Sequence, residues 1–266
     1  RPGSYTHMTE FFGPVLAVMR FENLGEAVAL VNQTGYGLTS GLESLDEREW
    51  AYWKRHIRAG NLYINRVTTG AIVLRQPFGG MGKSGFGPGM KAGGPNYVAQ
   101  FMDFEDAGAP PPDGLPQAAT LAALCRGLGS QPRGEDERIV AAALSYERNQ
   151  REEFAAEHDH FRLVGQDNVR RYLPVGSVRI RVHADDTAFD VFARACAAHV
   201  AGCSAVVSTP PGLDAPAVRR LEELTQSWAA AIEFVEETDA QLAQAIREGQ
   251  VDRVRYAAPD RASLEV

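Results

Sequence analysis

The sequence is poor in cysteine and has no long apolar run. Its three cysteines, Cys125, Cys196 and Cys203, are too few for a disulfide framework, and none lies in a Cys-x-x-Cys pair. We therefore expect reduced, largely buried thiols. No stretch approaches the roughly 20 apolar residues that a membrane-spanning helix needs, and the N-terminus lacks the pattern of a signal peptide. These absences predict a cytoplasmic protein without a transmembrane segment.

An excess of basic residues is also missing. The formal net charge is −7, whereas a protein that neutralises nucleic-acid phosphates needs a basic face. The composition therefore argues against a nucleic-acid partner. At 266 residues, the length favours two domains over one.

A phosphate-binding P-loop is suggested by Gly82, Lys83 and Ser84 but fails on spacing. That motif needs a glycine five positions before Gly82, where this chain has Pro77. A proline there removes a backbone N–H that would hold a phosphate. A P-loop phosphotransferase is therefore the weakest of the functions considered, and ATP binding would test it.

Cys203 and the histidines His158 and His160 are weak candidates for chemistry as well. Cys203 lies between a helix end and a β-branched strand, with no His or Glu that periodicity places beside it, which favours a structural thiol. The two histidines flank Asp159, but no third and fourth ligands follow at the usual spacing. We interpret them as a solvated helix end, and no metal is expected.

The stretch from Asn61 to Gly94 is unusually rich in glycine. Nine glycines occur from position 70 onward, after an apolar segment at 62–64 that predicts a buried strand. Glycine at this density allows close approach of the backbone to a ligand or another chain, or loops with positive φ. A plain surface loop is the alternative.

Alternating strands and helices are predicted on the N-terminal side of this stretch. We expect a strand at 12–18, a helix opened by a capping box at Asn23, and an extended segment at 36–42. A second capping box, formed by Ser44 and Glu47, predicts the next helix. This order favours a parallel α/β sheet.

A proline- and glycine-rich segment at 107–117 predicts a linker between residues 1–106 and the remainder. From 118 to 266 the pattern predicts two helices and then four strands alternating with helices, as in a doubly wound nucleotide-binding fold. In the first of those strands, at 177–182, apolar residues alternate with arginines. This alternation predicts a strand with an exposed face or edge.

Four motifs together carry a resemblance to a known family. EFFGPVL at 10–16, TGYGLTSGL at 34–42, GNLYIN at 60–65 and QPFGGMGKSG at 76–85 occur in the order and at about the intervals seen in aldehyde dehydrogenases. Within that superfamily, TTGAIVLRQPFGG followed by KAGGPNY resembles the branch that oxidises L-glutamate γ-semialdehyde, the 1-pyrroline-5-carboxylate dehydrogenases of proline catabolism. That branch is often fused to proline dehydrogenase in bacterial proline utilization proteins. The resemblance covers about residues 5–106.

This resemblance implies a fold class and a domain order. Residues 1–106 would form the C-terminal part of an α/β aldehyde dehydrogenase catalytic domain. Residues 118–266 would form a degenerate, doubly wound (Rossmann-like) domain of the aldehyde dehydrogenase type, because segments within 172–210 resemble the start of the family's cofactor domain.

The second domain departs from the family at the positions that would hold a dinucleotide. Thr209 stands where the family keeps a lysine for the adenosine ribose, and Ala258 and Pro259 stand where it keeps Gly-Ser. Because proline cannot donate the amide that a pyrophosphate needs, we expect this domain not to bind NAD.

Cofactor roles follow from the resemblance for two residues. Glu10 matches the carboxylate that binds the nicotinamide ribose of NAD, and Phe12 matches the aromatic residue near the nicotinamide. FAD is implied only if a proline dehydrogenase domain is fused upstream.

Substrate roles follow for four more residues. Thr69, Gly70 and Ala71 match the loop that anchors the substrate's α-carboxylate through backbone N–H groups, and Phe78 would line the pocket. Such a loop of small residues exposes its amides to an anion without obstruction by side chains.

The family's nucleophilic cysteine and general-base glutamate have no counterpart here. In the family a thiolate attacks the aldehyde, a hydride passes to NAD, and the thioester is then hydrolysed. Both residues lie upstream of EFFGPVL, so the resemblance implies an NAD-dependent L-glutamate γ-semialdehyde dehydrogenase of which this chain alone is inactive.

The implied partners are an upstream cofactor domain, in some proteins a proline dehydrogenase domain, and further copies in a homo-oligomer. The alternative is a non-catalytic lid or oligomerisation module of a multidomain proline-catabolic protein.

Overall fold

The chain forms two compact units. A computed structural model describes residues 1–72, 75–86, 89–105 and 112–263. Unit 1 comprises Arg1–Glu105 and His158–Arg170, and unit 2 comprises Asp106–Glu157 and Arg171–Val266. The segment His158–Arg170 therefore groups with unit 1, although it lies inside the region predicted as the second domain. Residues 107–111 of the predicted linker lie outside the described residues.

Unit 1 contains short strands and three helices among its described residues. Its strands form two pairs, of which β2 and β3 are parallel and β1 and β4 antiparallel. The elements are α1 (Tyr5–Met8), α2 (Leu24–Gln33), β1 (Tyr36–Gly37), β2 (Thr39–Leu42), α3 (Glu47–His56), β3 (Asn61–Ile64), β4 (Met81–Gly82) and a 3₁₀ turn (Val98–Phe101).

Side-chain caps set the start of both longer helices in unit 1. Asn23 accepts a hydrogen bond from the Glu26 N–H at 2.9 Å, as its sequence context predicts. The cap of α3 is Asp46, which accepts from the Arg48 N–H at 2.9 Å, so the predicted capping box at Ser44 is wrong. The Ser44 hydroxyl instead donates to the Glu49 carboxylate.

The strand predicted at 12–18 does not form. The chain between α1 and α2 has no regular structure, and Phe12 and Leu16 are 98% and 87% exposed. An apolar run becomes a strand only when a neighbouring strand satisfies its backbone groups and covers its side chains. The described residues supply no such neighbour to this segment.

Unit 2 is an α/β unit built on one parallel sheet, which confirms the predicted fold class at that level. The four strands lie in the order β7–β6–β5–β8, all parallel. The elements are α4 (Ala119–Gly127), α5 (Glu135–Asn149), a π turn (Gln150–Phe154), β5 (Ser177–Arg181), α6 (Ala188–Val200), β6 (Ser204–Thr209), α7 (Pro216–Leu224), a 3₁₀ turn (Gln226–Ala231), β7 (Ile232–Glu236), α8 (Asp239–Arg247), β8 (Arg253–Arg255) and a last 3₁₀ turn (Pro259–Arg261).

The core of unit 2 includes all three thiols. Cys125, Cys196 and Cys203 are free and buried, as predicted. Burial raises the pKa of Cys125 to about 11 and raises the pKa of the other two thiols as well. Since a thiolate is the reactive form, these cysteines are structural.

The alternating strand β5 lies inside the sheet and not at its edge, which corrects the sequence prediction. It pairs with β6 on one side and β8 on the other. Arg181, predicted to face solvent, is only 5% exposed. The prediction failed because buried partners satisfy this guanidinium, which a pattern of apolar and charged residues cannot reveal.

Within the described part of the chain, no helix is both long and apolar enough to cross a membrane.

Candidate substrate-anchoring site

The start of the glycine-rich region is fixed by one buried and one partly buried polar side chain, those of Asn61 and Lys91. The Asn61 amide donates to the Pro77 carbonyl at 3.1 Å and accepts from the Gly79 N–H at 3.2 Å. The Lys91 ammonium donates to the carbonyls of Gly60 and Gly79 at 2.6 and 2.8 Å. Burial lowers the pKa of Lys91 to about 8. These contacts hold the turn at 77–80 against the start of β3.

Several glycines of this region serve backbone packing. A Cβ atom at Gly60 would lie 1.8 Å from the Gly79 oxygen, and one at Gly80 would lie 2.2 Å from the Ser84 oxygen. No side chain fits at such distances. Gly60 and Gly80 therefore allow two backbone segments to pack closely together, and their surfaces are not available to a ligand.

The P-loop candidate residues are used within unit 1. Lys83 donates to the Thr34 carbonyl at 2.9 Å and lies 5.0 Å from the centre of the Tyr36 ring. The Ser84 hydroxyl accepts from the Gly37 N–H at 3.1 Å. These contacts give the Gly-Lys-Ser sequence a structural role.

The predicted anchor loop differs from the packed glycines. Gly70 has a φ of +81°, and no described atom outside its immediate neighbours lies within 4 Å of the place a Cβ would take. Thr69 is exposed and Ala71 is partly buried. The N–H groups of Arg75 and Gln76 both donate to the Ile72 carbonyl at 2.8 Å. The described residues therefore leave open space beside the Gly70 Cα, where a side chain would otherwise lie.

A small polar cavity of about 80 Å³ adjoins this loop. Its lining combines two guanidiniums, three side-chain amides and the backbone of Gly70. The polar residues that line it, with Gly70, are Arg66, Arg75, Gln76, Gln166 and Asn168. Of the six residues predicted for binding, only Gly70 is among the described residues lining this cavity.

Two of the lining residues come from the segment His158–Arg170, which folds back on itself. The backbones of His158 and Arg170 form an antiparallel bridge. The Asp159 carboxylate accepts from the N–H groups of Arg162 at 3.0 Å and Asn168 at 3.1 Å. These hydrogen bonds, that of Arg162 foremost, lower the pKa of Asp159. Asn168 is thereby held in a buried position, 9% exposed.

This arrangement corrects the interpretation of the two histidines as a helix end. His158 and His160 follow the π turn and belong to the bridged segment, where their rings stack at 5.5 Å. Among the residues that the structure describes, no group of three or more His, Cys, Asp or Glu side chains is arranged to hold a metal ion.

The other predicted residues lie apart from the cavity lining. Glu10 and Phe12 lie in the irregular segment after α1 and are exposed. Phe78 is partly buried and pairs with Ala92 through two backbone hydrogen bonds of 3.0 Å. A larger surface recess, between the starts of α2 and α3, contains none of the predicted residues.

In unit 2, the carboxyl edge of the parallel sheet is occupied by side chains. Arg181, at the end of β5, donates to the Ser208 hydroxyl at 2.9 Å, the Glu237 carbonyl at 2.9 Å and the Asp239 carboxylate at 2.6 Å. This is the edge at which parallel α/β folds bind ligands. Here the chain fills it with its own guanidinium.

An ion pair links the loop after β5 to the segment after β8. The strand order reverses between these two strands. The Asp186 carboxylate, in the loop after β5, is fully buried and accepts from Arg194 at 2.7 Å and from Arg261, which follows β8. Asp185 precedes it in the same loop, and Asp190 lies in the first turn of α6. The first strand–helix turn of unit 2 therefore holds three carboxylates, against two paired guanidiniums.

The family model described as "Aldehyde dehydrogenase family" matches residues 1–106. Residues 1–106 belong to the aldehyde dehydrogenase family. This confirms the resemblance carried by the four motifs.

Relatives of this aldehyde dehydrogenase segment include proline-catabolic proteins. The bifunctional protein PutA of Rhizobium meliloti is 52% identical over 95 residues, which are 35% of this chain and 8% of that protein. The structure of proline utilization A (PutA) from Corynebacterium freiburgense covers 90% of this chain and 24% of its own, with 35% identity and a TM-score of 0.66. A 1-pyrroline-5-carboxylate dehydrogenase from Thermus, with bound NAD, covers 39% of this chain and 20% of its own at 40% identity, with a TM-score of 0.37. The chain spans only a small part of the length of these relatives.

Sequence reasoning missed most of the cavity. Gln76 begins the motif at 76–85, but the resemblance implies no binding role for it. Gln166 and Asn168 lie in no recognised motif. Asn168 is 92 positions from Gln76, to which it is hydrogen-bonded. No local pattern links residues so distant in the chain.

Proposed function

We propose that this chain is the C-terminal part of an NAD-dependent dehydrogenase that oxidises L-glutamate γ-semialdehyde to L-glutamate. In this proposal, Thr69, Gly70 and Ala71 bind the substrate's α-carboxylate through backbone N–H groups. Phe78 lines the pocket, and the nucleophilic thiolate and its base come from outside this chain. The match of residues 1–106 to the aldehyde dehydrogenase family carries the proposal.

The surroundings of the loop support its assignment to an anionic substrate group. Gly70 is unobstructed and lines a cavity that also contains the side chains of Arg66 and Arg75. Guanidiniums attract a carboxylate and orient it, and an unobstructed amide can donate to it. An aldehyde without a carboxylate would gain nothing from this arrangement.

The exposed apolar residues of unit 1 support its being part of a larger domain. Its buried hydrophobic cluster is small, with Val28, Trp53 and Ile57 at its centre. Phe12, Leu16 and the segment between them are exposed instead. Apolar surface of this extent marks a place where further protein packs. We assign Glu10 and Phe12 to the NAD site that such packing would complete.

The proposal predicts the effect of Gly70→Val in the full-length dehydrogenase. A β-branched side chain at a φ of +81° strains the loop, and its bulk obstructs the amides that face the carboxylate. We expect KM for L-glutamate γ-semialdehyde to rise about tenfold or more, while turnover of pentanal, which has no carboxylate, changes little. Steady-state kinetics of NADH formation measures both. Unchanged KM in a correctly folded variant would remove the assignment, and absence of any semialdehyde oxidation by the wild type would remove the function.

We propose that unit 2 is a degenerate cofactor-type domain that acts as a non-catalytic lid or assembly module. Its strand order matches the first four strands of a doubly wound fold, with the order reversing between β5 and β8. The Arg181 network and the ion pair between Asp186 and Arg261 occupy that edge. This turn holds three carboxylates against two guanidiniums, and the excess negative charge disfavours the pyrophosphate that such a turn would otherwise bind.

A further inference from the structure

The cavity beside Gly70 contains a donor and an acceptor that no atom of the described residues satisfies. Gln76 Nε2 donates to Asn168 Oδ1 at 3.2 Å. Asn168 Nδ2 and Gln76 Oε1 are then buried without a hydrogen-bond partner. If both side-chain amides were rotated by 180°, Asn168 would donate to Gln76. The Gln76 amide N–H and the Asn168 oxygen would then be the unpaired groups.

Unpaired buried polar groups are rare, and each needs a partner, which is either a bound water molecule or a ligand. The lining also holds the guanidiniums of Arg66 and Arg75 and the open backbone of Gly70. Arg66 is kept in place by the Tyr63 ring, whose centre lies 5.3 Å from the guanidinium carbon. A partner for this set must carry a negative group for the cations and, next to it, an N–H donor for the amide oxygen.

We propose that the cavity binds the head group of an α-amino acid, and that Asn168 and Gln76 read its carboxylate and its ammonium group. The carboxylate accepts from Asn168 Nδ2, from the Gly70 amide and from the two arginines. The α-ammonium donates to Gln76 Oε1. This inference rests on the proposed function, which it deepens by making a segment of the second half of the chain part of the substrate site.

The chemistry of the lining disfavours metal cations, nucleotides and simple anions. A metal cation would meet two guanidiniums and no carboxylate among the described lining residues. A nucleotide is too large for about 80 Å³. A simple anion such as phosphate offers mainly acceptor oxygens, so the Gln76 oxygen would still lack a hydrogen-bond donor. An α-amino acid satisfies both unpaired atoms at once and, unlike a water molecule, also brings a negative charge to the two arginines.

Variants at Asn168 and Gln76 test the proposal in the full-length protein. Asn168→Asp keeps the shape and the acceptor but replaces the donor with a negative charge that repels the carboxylate. Asn168→Ala removes the side chain without adding charge. Gln76→Leu removes the acceptor for the ammonium group. Asp167→Asn changes an exposed neighbour outside the cavity lining and serves as the matched control.

The substrates are L-glutamate γ-semialdehyde, its deaminated analogue 5-oxopentanoate, and pentanal, which has neither head-group function. We expect Asn168→Asp to raise KM about tenfold for the first two, equivalent to about 1.4 kcal/mol, and to leave pentanal unaffected. Asn168→Ala should shift KM in the same direction by a smaller factor. Gln76→Leu should reduce the preference for the semialdehyde over 5-oxopentanoate. Asp167→Asn should behave as the wild type.

Calorimetric titration of the same proteins with L-glutamate and with glutarate separates this inference from the proposed function. Weaker L-glutamate binding by Asn168→Asp supports the head-group site even if the wild type oxidises no semialdehyde. Normal oxidation together with unchanged KM and unchanged L-glutamate binding in folded Asn168→Asp and Gln76→Leu overturns it. Equal affinity of the wild type for L-glutamate and glutarate overturns the role of Gln76.

Discussion

Lys91 places a titratable group inside the glycine-rich region of unit 1. Its ammonium bonds two backbone carbonyls, those of Gly60 and Gly79, that would otherwise lack a side-chain partner at this position. The adjoining glycines leave little space for water between the two backbone segments. The charge is therefore part of the structure that supports the anchor loop, although the sequence motif KAGGPNY gave no reason to expect this.

We expect Lys91→Met to destabilise unit 1 by about 1–3 kcal/mol, because the methionine retains the apolar stem but leaves two carbonyls unsatisfied. Urea unfolding followed by the fluorescence of Trp50 and Trp53 measures this. The exposed Lys83, which bonds a single carbonyl, gives the control Lys83→Met with a smaller loss.

The lowered pKa of Lys91 sets the sign of the pH dependence. Between about 8 and the ordinary value of 10.5, the unfolded chain holds a proton that the folded chain has released. The free energy of unfolding should therefore rise through this window in the wild type and rise less in Lys91→Met. Parallel pH profiles for the two proteins would contradict the role of Lys91.

The bridged segment His158–Arg170 depends on one carboxylate. Asp159 accepts three backbone N–H groups, those of Phe161, Arg162 and Asn168, and so fixes the position of the cavity residue Asn168. The lowered pKa means that this stabilisation is complete above the ordinary carboxyl pKa of 3.8 and is lost as the pH falls through the lower, folded-state value.

Asp159→Asn should loosen the segment at neutral pH as acid does in the wild type, because an amide N–H would then face a backbone N–H. Hydrogen exchange of residues 161–168, followed by mass spectrometry, should become faster in this variant, with little change elsewhere. Asp167→Asn, which removes a charge from the same segment, should leave exchange unaltered. Equal protection in Asp159→Asn and the wild type would show that the carboxylate does not order the segment.

Elements with strong local signals were predicted well from the sequence. The helix predicted from the capping context of Asn23 forms as α2, with Asn23 as its N-cap. The strand at 12–18 does not form, because strand formation depends on a neighbour that the sequence of the strand does not contain. The anchor loop was located by motif, whereas Asn168 could be placed only by the fold.

The whole molecule combines an aldehyde dehydrogenase segment with a parallel α/β unit whose carboxyl sheet edge is filled by the side chain of Arg181. We expect NAD titration of this chain to show no saturable binding at unit 2, because Arg181 and the Asp186–Arg261 pair occupy the site. Calorimetry tests this directly. Binding that persists in Glu10→Ala but is lost in Arg261→Ala would place NAD at unit 2 and contradict the degenerate domain.

The return of His158–Arg170 to unit 1 has a consequence for cleavage of the chain. A protease cut in the predicted linker at 107–117 would give an N-terminal and a C-terminal fragment. The C-terminal fragment would contain His158–Arg170, which belongs to unit 1. The two fragments would then form a complementing pair, held by the bridged segment. Conversely, residues 1–106 expressed alone would lack Gln166, Asn168 and a wall of the cavity. The proline-rich linker joins the units in sequence, but the boundary of unit 1 is set by contacts made more than fifty residues later.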